Sequence, residues 1–350
     1  MPVTRTLTHL NWLFAALTCV LLGAAGHRTL YPQRPNLGQD RKAPVYYFNF
    51  DFLEISDGFK TGAEKLQAYL QSGDHAALTA ARSAYAKAVS EEDVGTPSSA
   101  LLWLCDYFLA TDDERRSKLR NPEGARLLSY LSSQAYTPLQ AALDAFKGGI
   151  KPITPDGYLT YRLLLDSSPT RDAWEQSDRL LRACNLRPGA SVADLGAGPG
   201  YFTVRLAQAV GPTGHVIALD NNPPLLQYIA LLTRREGLYN VTVGIEQPLS
   251  LPPASLDCVF SCSHFHLCYG MWEPAKRDAL IEGLRQALKP RGTLVVCDNE
   301  PVVTSGGRPY IDDRISRYVV SALLESSGFK LRRCYEVNPA RYALIFERLP

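Results

Sequence analysis

The run Val192-Ala193-Asp194-Leu195-Gly196-Ala197-Gly198-Pro199-Gly200-Tyr201-Phe202-Thr203 constrains the fold more than any other stretch of the chain. It reads as a buried strand, a glycine-rich turn and the start of a helix. Glycine lacks a Cβ and tolerates positive φ, so such a turn lets backbone approach a ligand closely. The helix that follows offers unpaired N–H groups to an anion. Spacing separates cofactor classes. A dinucleotide fold uses G-x-G-x-x-G after its first strand. Here Gly196, Gly198 and Gly200 give G-x-G-x-G, with Asp194 two positions before the first glycine.

The segments that follow fit an open α/β sheet. Gly214–Asp220 is a second apolar strand ending in a carboxylate. Asp220 stands at about the distance from the glycine turn at which an acidic side chain meets a ribose, and a carboxylate can accept from both ribose hydroxyls. Leu225, Leu226, Ile229 and Leu232 place a helix over Pro223–Glu236. Val241–Ile245 reads as a third strand, Leu249–Ser261 as a turn and fourth strand, and Ala287–Val296 as a helix end and fifth strand. Ser327–Phe329, Arg332–Val337 and Arg341–Phe346 read as a last helix and a closing antiparallel pair.

These parts, in this order, resemble the class I S-adenosylmethionine (SAM) dependent methyltransferases over roughly residues 155–348. The glycine run resembles the family's first motif, Leu249–Ser261 its "LP…SFDLV" segment and Ala287–Val296 its "LKPGG" segment. The resemblance implies a Rossmann-like seven-stranded class I sheet, SAM as cofactor and an acceptor it does not name. The cofactor residues it implies are Asp194, Gly196, Ala197, Gly198, Gly200, Tyr201, Asp220, Asn221, Gln247 and Ser261. Glu246 competes with Gln247 for the adenine end. Asp194 fits support of the turn, or a water-mediated contact to the cofactor, better than chemistry. Pro169-Thr170-Arg171-Asp172-Ala173-Trp174-Glu175-Gln176, His266 and Arg341-Tyr342 further resemble a bacterial subgroup whose members often begin with an export-like apolar segment.

Composition sets the remaining bounds. The chain's 350 residues are enough for two cores. A formal charge of +2 with no basic tract gives no footprint for nucleic acid. Residues 10–26 are apolar, at the short limit of a membrane span. Arg5 before the run and Ala24-Ala25-Gly26 at its end suit a cleaved signal segment. Arg28, Arg34, Arg41 and Lys42 after the run suit an anchor with the catalytic part in the cytosol. A buried helix is the third reading. The expected organisation is 1–27 anchor or signal segment, 28–44 linker, 45–150 helical domain and 151–350 methyltransferase domain. The helical domain reads as a cap, a partner-binding unit or a packing appendage.

The eight cysteines include no C-x-x-C pair, so no zinc site is signalled and core packing is the preferred reading. Cys262, His264, His266 and Cys268 cluster just past the fourth strand, where open sheets bind ligands; a metal or metalloid role is the minor reading there. His266 is the candidate base or acceptor-orienting group, against a histidine bonded to backbone at the rim. Asp298 and Glu300 face the same crevice. Two other functional classes compete with methyl transfer: an NAD-linked oxidoreductase, and a degenerate methyltransferase fold that only binds.

Overall fold

The computed structural model describes residues 46–49, 56–91, 96–147, 150–246, 249–270, 273–301 and 314–350. The apolar run 10–26, the linker 28–44 and Gln247 lie outside the described residues. Among the described residues no helix is long and apolar enough to cross a membrane.

Helices α1 (Asp57–Ser72), α2 (His75–Glu91), α3 (Pro97–Leu109), α4 (Asp112–Lys118), α5 (Pro122–Ser133) and α6 (Thr137–Ala145) form the first unit. Their starts are chemically set. Ser56 Oγ accepts from Phe59 N, Thr111 and Glu114 form a capping box, and Asn121 Oδ1 accepts from Gly124 N. Each satisfies a donor that the helix itself leaves unpaired. The helix α4, which apolar periodicity alone does not reveal, has no buried residue. The short strands β1 (Tyr46–Asn49) and β2 (Ile150–Ile153) pair antiparallel and tie the ends of the unit together.

Helix α7 (Pro155–Asp166), capped by Thr154, joins the two halves. Tyr158, Leu159, Tyr161, Leu163 and Leu164 pack into the same apolar cluster as α1–α6. Helix α7 thus buries its apolar face in the core of the helical unit. Polar links among the described residues also hold the halves together. Arg126 pairs with Glu236 at 2.5 Å, Arg205 with Glu123 at 2.8 Å, and Asn121 Nδ2 donates to Pro169 O at 2.7 Å.

Helices α8 (Asp172–Glu175), α9 (Ser177–Ala183), α10 (Tyr201–Val210), α11 (Pro223–Arg235), α12 (Phe265–Gly270), α13 (Pro274–Ala287) and α14 (Arg317–Ser326) accompany the sheet. Its strands are β3 (Ser191–Leu195), β4 (His215–Asp220), β5 (Val241–Ile245), β6 (Leu256–Cys262), β7 (Leu288–Asn299), β8 (Phe329–Asn338) and β9 (Arg341–Arg348). They lie in the order β5-β4-β3-β6-β7-β9-β8, and β9 runs antiparallel to both neighbours. The central strands are continuous apolar runs because helices cover both faces; Val192, Ala193 and Leu195 of β3 are fully buried. Strand order reverses between β3 and β6, which opens a crevice at the carboxyl ends of those strands.

Helices α1 and α2 cross closely because Gly58 and Gly62 stand one turn apart at the contact. A Cβ at Gly62 would lie 2.7–2.8 Å from the ring of the buried Tyr85. We expect Gly62→Val to lower stability by about 1–3 kcal/mol, the usual cost of overpacking. Thermal melting checks this; an unchanged midpoint would mean that the helices are held farther apart.

Candidate functional site

The turn after β3 is built from backbone. Gly196, Gly198 and Gly200 have φ of 70°, 54° and 90°, a region that side chains with a Cβ rarely enter. Ala197 N donates to Leu219 O at 2.9 Å, and Gly198 N donates to Asp220 Oδ2 at 3.0 Å. Asp220 Oδ1 accepts from Asn222 N at 2.8 Å. The two strand tips are thus bonded to each other, and the Asp220 carboxylate is locked between them with lone pairs left over. Below the turn, Thr203 Oγ1 donates to Asp194 Oδ2 at 2.6 Å. Burial outweighs that bond and pushes the Asp194 carboxyl up to about 6.

These groups line a cavity of about 300 Å³. Asp194, Gly196, Ala197, Gly198, Tyr201, Asp220 and Asn221, all expected at the cofactor, lie on its wall. The Tyr201 hydroxyl is engaged at its far side by Asp172 and Ser177, each at 2.7 Å. Helix α7 supplies the opposite wall through Tyr158, Arg162 and Asp166, the last two paired at 2.5 Å. Arg162 and Asp166 are separated by four residues, a visible helical ion-pair spacing. Nothing in their sequence says that this pair faces the glycine turn.

Three expected residues stand elsewhere. Gly200 is not on the cavity wall; its φ starts α10. Ser261 is fully buried within β6 and also absent from the wall. His266, the candidate base, is not on the wall either. Its Nδ1 lies 2.8 Å from Asp298 Oδ1, and its backbone N donates to Asp298 Oδ2 at 3.1 Å. Burial works against the Asp298 carboxylate, but His266 and the Asn299 N–H outweigh it and hold that group below the usual carboxylate range. The loop histidine that does face the cavity is His264. Its ring sits directly over Gly196, where an added Cβ would come within 2.3 Å of Cγ. Burial opposes the imidazolium, yet Cys268 and Glu246 together hold His264 well above the ordinary histidine range.

Behind the wall is a buried ionic cluster. Glu175 is fully buried and pairs with Arg171 at 2.9 Å and Arg341 at 3.0 Å. Burial would raise the Glu175 carboxyl, but Arg341 and Arg171 reverse the sign and lower it. Arg341 also reaches Ser263 Oγ at 2.9 Å, Cys262 Sγ at 3.3 Å and Cys297 Sγ at 3.4 Å. The Arg171 guanidinium stacks 4.4 Å from the Tyr201 ring centroid, an arrangement worth more when desolvated. The cluster therefore links the segment before β3, the end of β6 and the start of β9. It accounts for Arg171, Glu175 and Arg341 as supports that fix the cavity's rear wall.

Comparisons with known proteins bear on the same segment of the chain. Residues 192–292 match the family described as "Methyltransferase domain". The chain is 30% identical over 131 residues to a ubiquinone/menaquinone biosynthesis C-methyltransferase UbiE of Legionella pneumophila strain Lens, covering 37% of this chain and 50% of that protein. It is 34% identical over 154 residues to an uncharacterized 37.1 kDa protein in transposon TN4556 of Streptomyces fradiae, covering 44% of this chain and 42% of that protein. The chain thus spans half or less of the length of these curated relatives. Among solved structures, a SAM-dependent methyltransferase from Aquifex aeolicus is 26% identical with a TM-score of 0.46, covering 52% of this chain and 94% of that one. The family match places a methyltransferase domain at residues 192–292, inside a seven-stranded sheet with the strand order expected of the SAM-dependent class. S-adenosyl-L-methionine is the cofactor of that class.

Two predictions follow from the supporting contacts. Glu175→Gln leaves two buried guanidinium groups without a countercharge, and we expect a loss of about 3–5 kcal/mol by denaturant unfolding. The Glu175 contribution is present above the ordinary glutamate range and is lost as pH falls through the lowered folded value; the difference between wild type and variant should shrink only at acidic pH. A pH-independent difference would contradict the charge argument. His266→Ala should cost about 1–3 kcal/mol of stability, the range for leaving a buried partner unsatisfied, while S-adenosylhomocysteine (SAH) affinity measured by calorimetry stays unchanged. A normal melting point with lost turnover would restore His266 to the chemistry.

Proposed function

We propose that this chain transfers the methyl group of SAM to a small acceptor that enters between α7 and the loop Cys262–Leu267. The observation that carries this reading is Asp220. Its carboxylate lies at the tip of β4, fastened to the glycine turn, on the wall of a cavity at the sheet's switch point. The residues fit the cofactor. The turn gives backbone approach without a Cβ, and Asp220 offers lone pairs to vicinal hydroxyls. The buried Asn222 Oδ1 on the same wall has no hydrogen-bond partner among the described residues and can accept a donor. The cavity size is at the lower end of those that hold cofactors.

When bound, SAM supplies an electrophilic methyl group, so the hard chemistry belongs to the cofactor. The chain's own work is to hold the donor at the turn and to exclude water behind Tyr158 and the Arg162–Asp166 pair. It must also present an acceptor lone pair in line with the bond that breaks. No nucleophilic residue is required for that. The UbiE proteins match over a limited stretch, so they support the donor half of this reading and leave the acceptor to experiment.

Incubation with methyl-labelled SAM and fractionated extract should yield a labelled product. SAM binding with no transfer in any fraction would favour a binding module. In parallel, SAH should bind and NADH should not; NADH binding would favour the oxidoreductase reading. Asp220→Ala should weaken SAH by roughly one to two decades, the equivalent of about 1.5–3 kcal/mol for bonds to a charged acceptor. Weakening below about threefold would assign the ribose to another residue.

A further inference from the structure

Glu246, His264 and Cys268 meet beside the glycine turn. One carboxylate oxygen, one imidazole nitrogen and one thiol sulfur lie within 4.8 Å of one another. Glu246 is fully buried, Cys268 is 1% exposed and His264 is 9% exposed. The set is rigidly held. His264 Nε2 lies 2.6 Å from Glu246 Oε1, and Asn221 Nδ2 donates to Glu246 Oε2 at 3.1 Å. The His264 ring is wedged over Gly196. His264 and Cys268 are four residues apart, so the turn entering α12 brings them to one side.

We propose that these three residues form a binding site for a zinc-class divalent ion. A mixed oxygen, nitrogen and sulfur set suits such ions, and three protein ligands with one open position is the arrangement of sites that process a ligand. Glu246 and His264 both line the cavity, the side from which the fourth position would be reached. The charges balance: a divalent cation, one carboxylate, one thiolate and a neutral imidazole sum to zero. Binding displaces the thiol proton and any proton on the imidazole into solvent. Asn221 then acts as the outer partner that orients the ligand carboxylate. An acceptor thiol or hydroxyl in the open position would be held deprotonated by the ion.

A second trio, Glu175, Cys262 and Cys297, has a similar span but does not suit a cation. The guanidinium groups of Arg171 and Arg341 already neutralise Glu175 and stand 3.5 and 3.3 Å from Cys262 Sγ. Two fixed positive charges there repel a third.

The test uses the full chain, stripped with chelator, then titrated with Zn²⁺ against a chromophoric chelator and with Co²⁺ by absorption. One tight Zn²⁺ per chain and a cobalt–thiolate charge-transfer band are expected. Cys268→Ser should remove the band and weaken Zn²⁺ by more than the roughly 10–100-fold that outer-partner changes cost; Cys262→Ser should keep both. If Cys268→Ser fails to fold, the wild type decides alone: no thiolate band, or weak substoichiometric zinc, overturns the proposal. A band lost in Cys262→Ser and kept in Cys268→Ser also overturns it. None of these readouts requires methyl transfer, so the ion site and the methyltransferase reading fail separately.

Discussion

The hydrogen bond from Gly198 N to Asp220 Oδ2 is the contact on which the site depends. It joins the turn after β3 to the tip of β4 and can form only where backbone comes close with no Cβ between. That requirement explains three positive-φ glycines in five residues. It also explains why the carboxylate is fixed before any ligand arrives. A charged group oriented in advance loses less on binding than one that must be ordered. The sheet supplies the rest of the geometry, since the strand order reverses between β3 and β6 where the turn leaves the sheet.

The second support is the α7 bridge. Its apolar face completes the core of the helical unit, while Tyr158, Arg162 and Asp166 close the cavity from the other side. The helical unit and the methyltransferase sheet thus share α7, beside the direct links Arg126–Glu236 and Arg205–Glu123. The buried Glu175 cluster does the same from behind, tying α8, β6 and β9 together.

Most of the sheet was legible because its signals are local. Val241–Ile245 coincides with β5, and the closing pair lies within one to three residues of β8 and β9. The cavity-lining residues near Gly196 and Asp220 were legible for the same reason: turn chemistry is written in adjacent residues. What escaped was long-range. Arg162 and Asp166 reach the cavity only because α7 folds back over the turn. Glu175, Arg341 and Cys262 meet across 166 residues of chain. The choice between His264 and His266 rests on a two-residue rotation at the entry to α12, which sends one ring over Gly196 and the other to Asp298. Sequence pattern places both on one loop and cannot rank them. Ser261 is buried within β6, away from the cavity wall.

The central claim is that close backbone approach at the turn makes the donor site. Gly196→Ala tests it most directly. The added methyl would sit 2.3 Å from His264 Cγ at a φ of 70°, so the turn or the histidine must move while the sheet stays packed. Calorimetric titration of the folded variant with SAH should show binding weakened by at least about tenfold, or about 1.4 kcal/mol. Wild-type affinity in a variant of unchanged secondary structure would contradict the account.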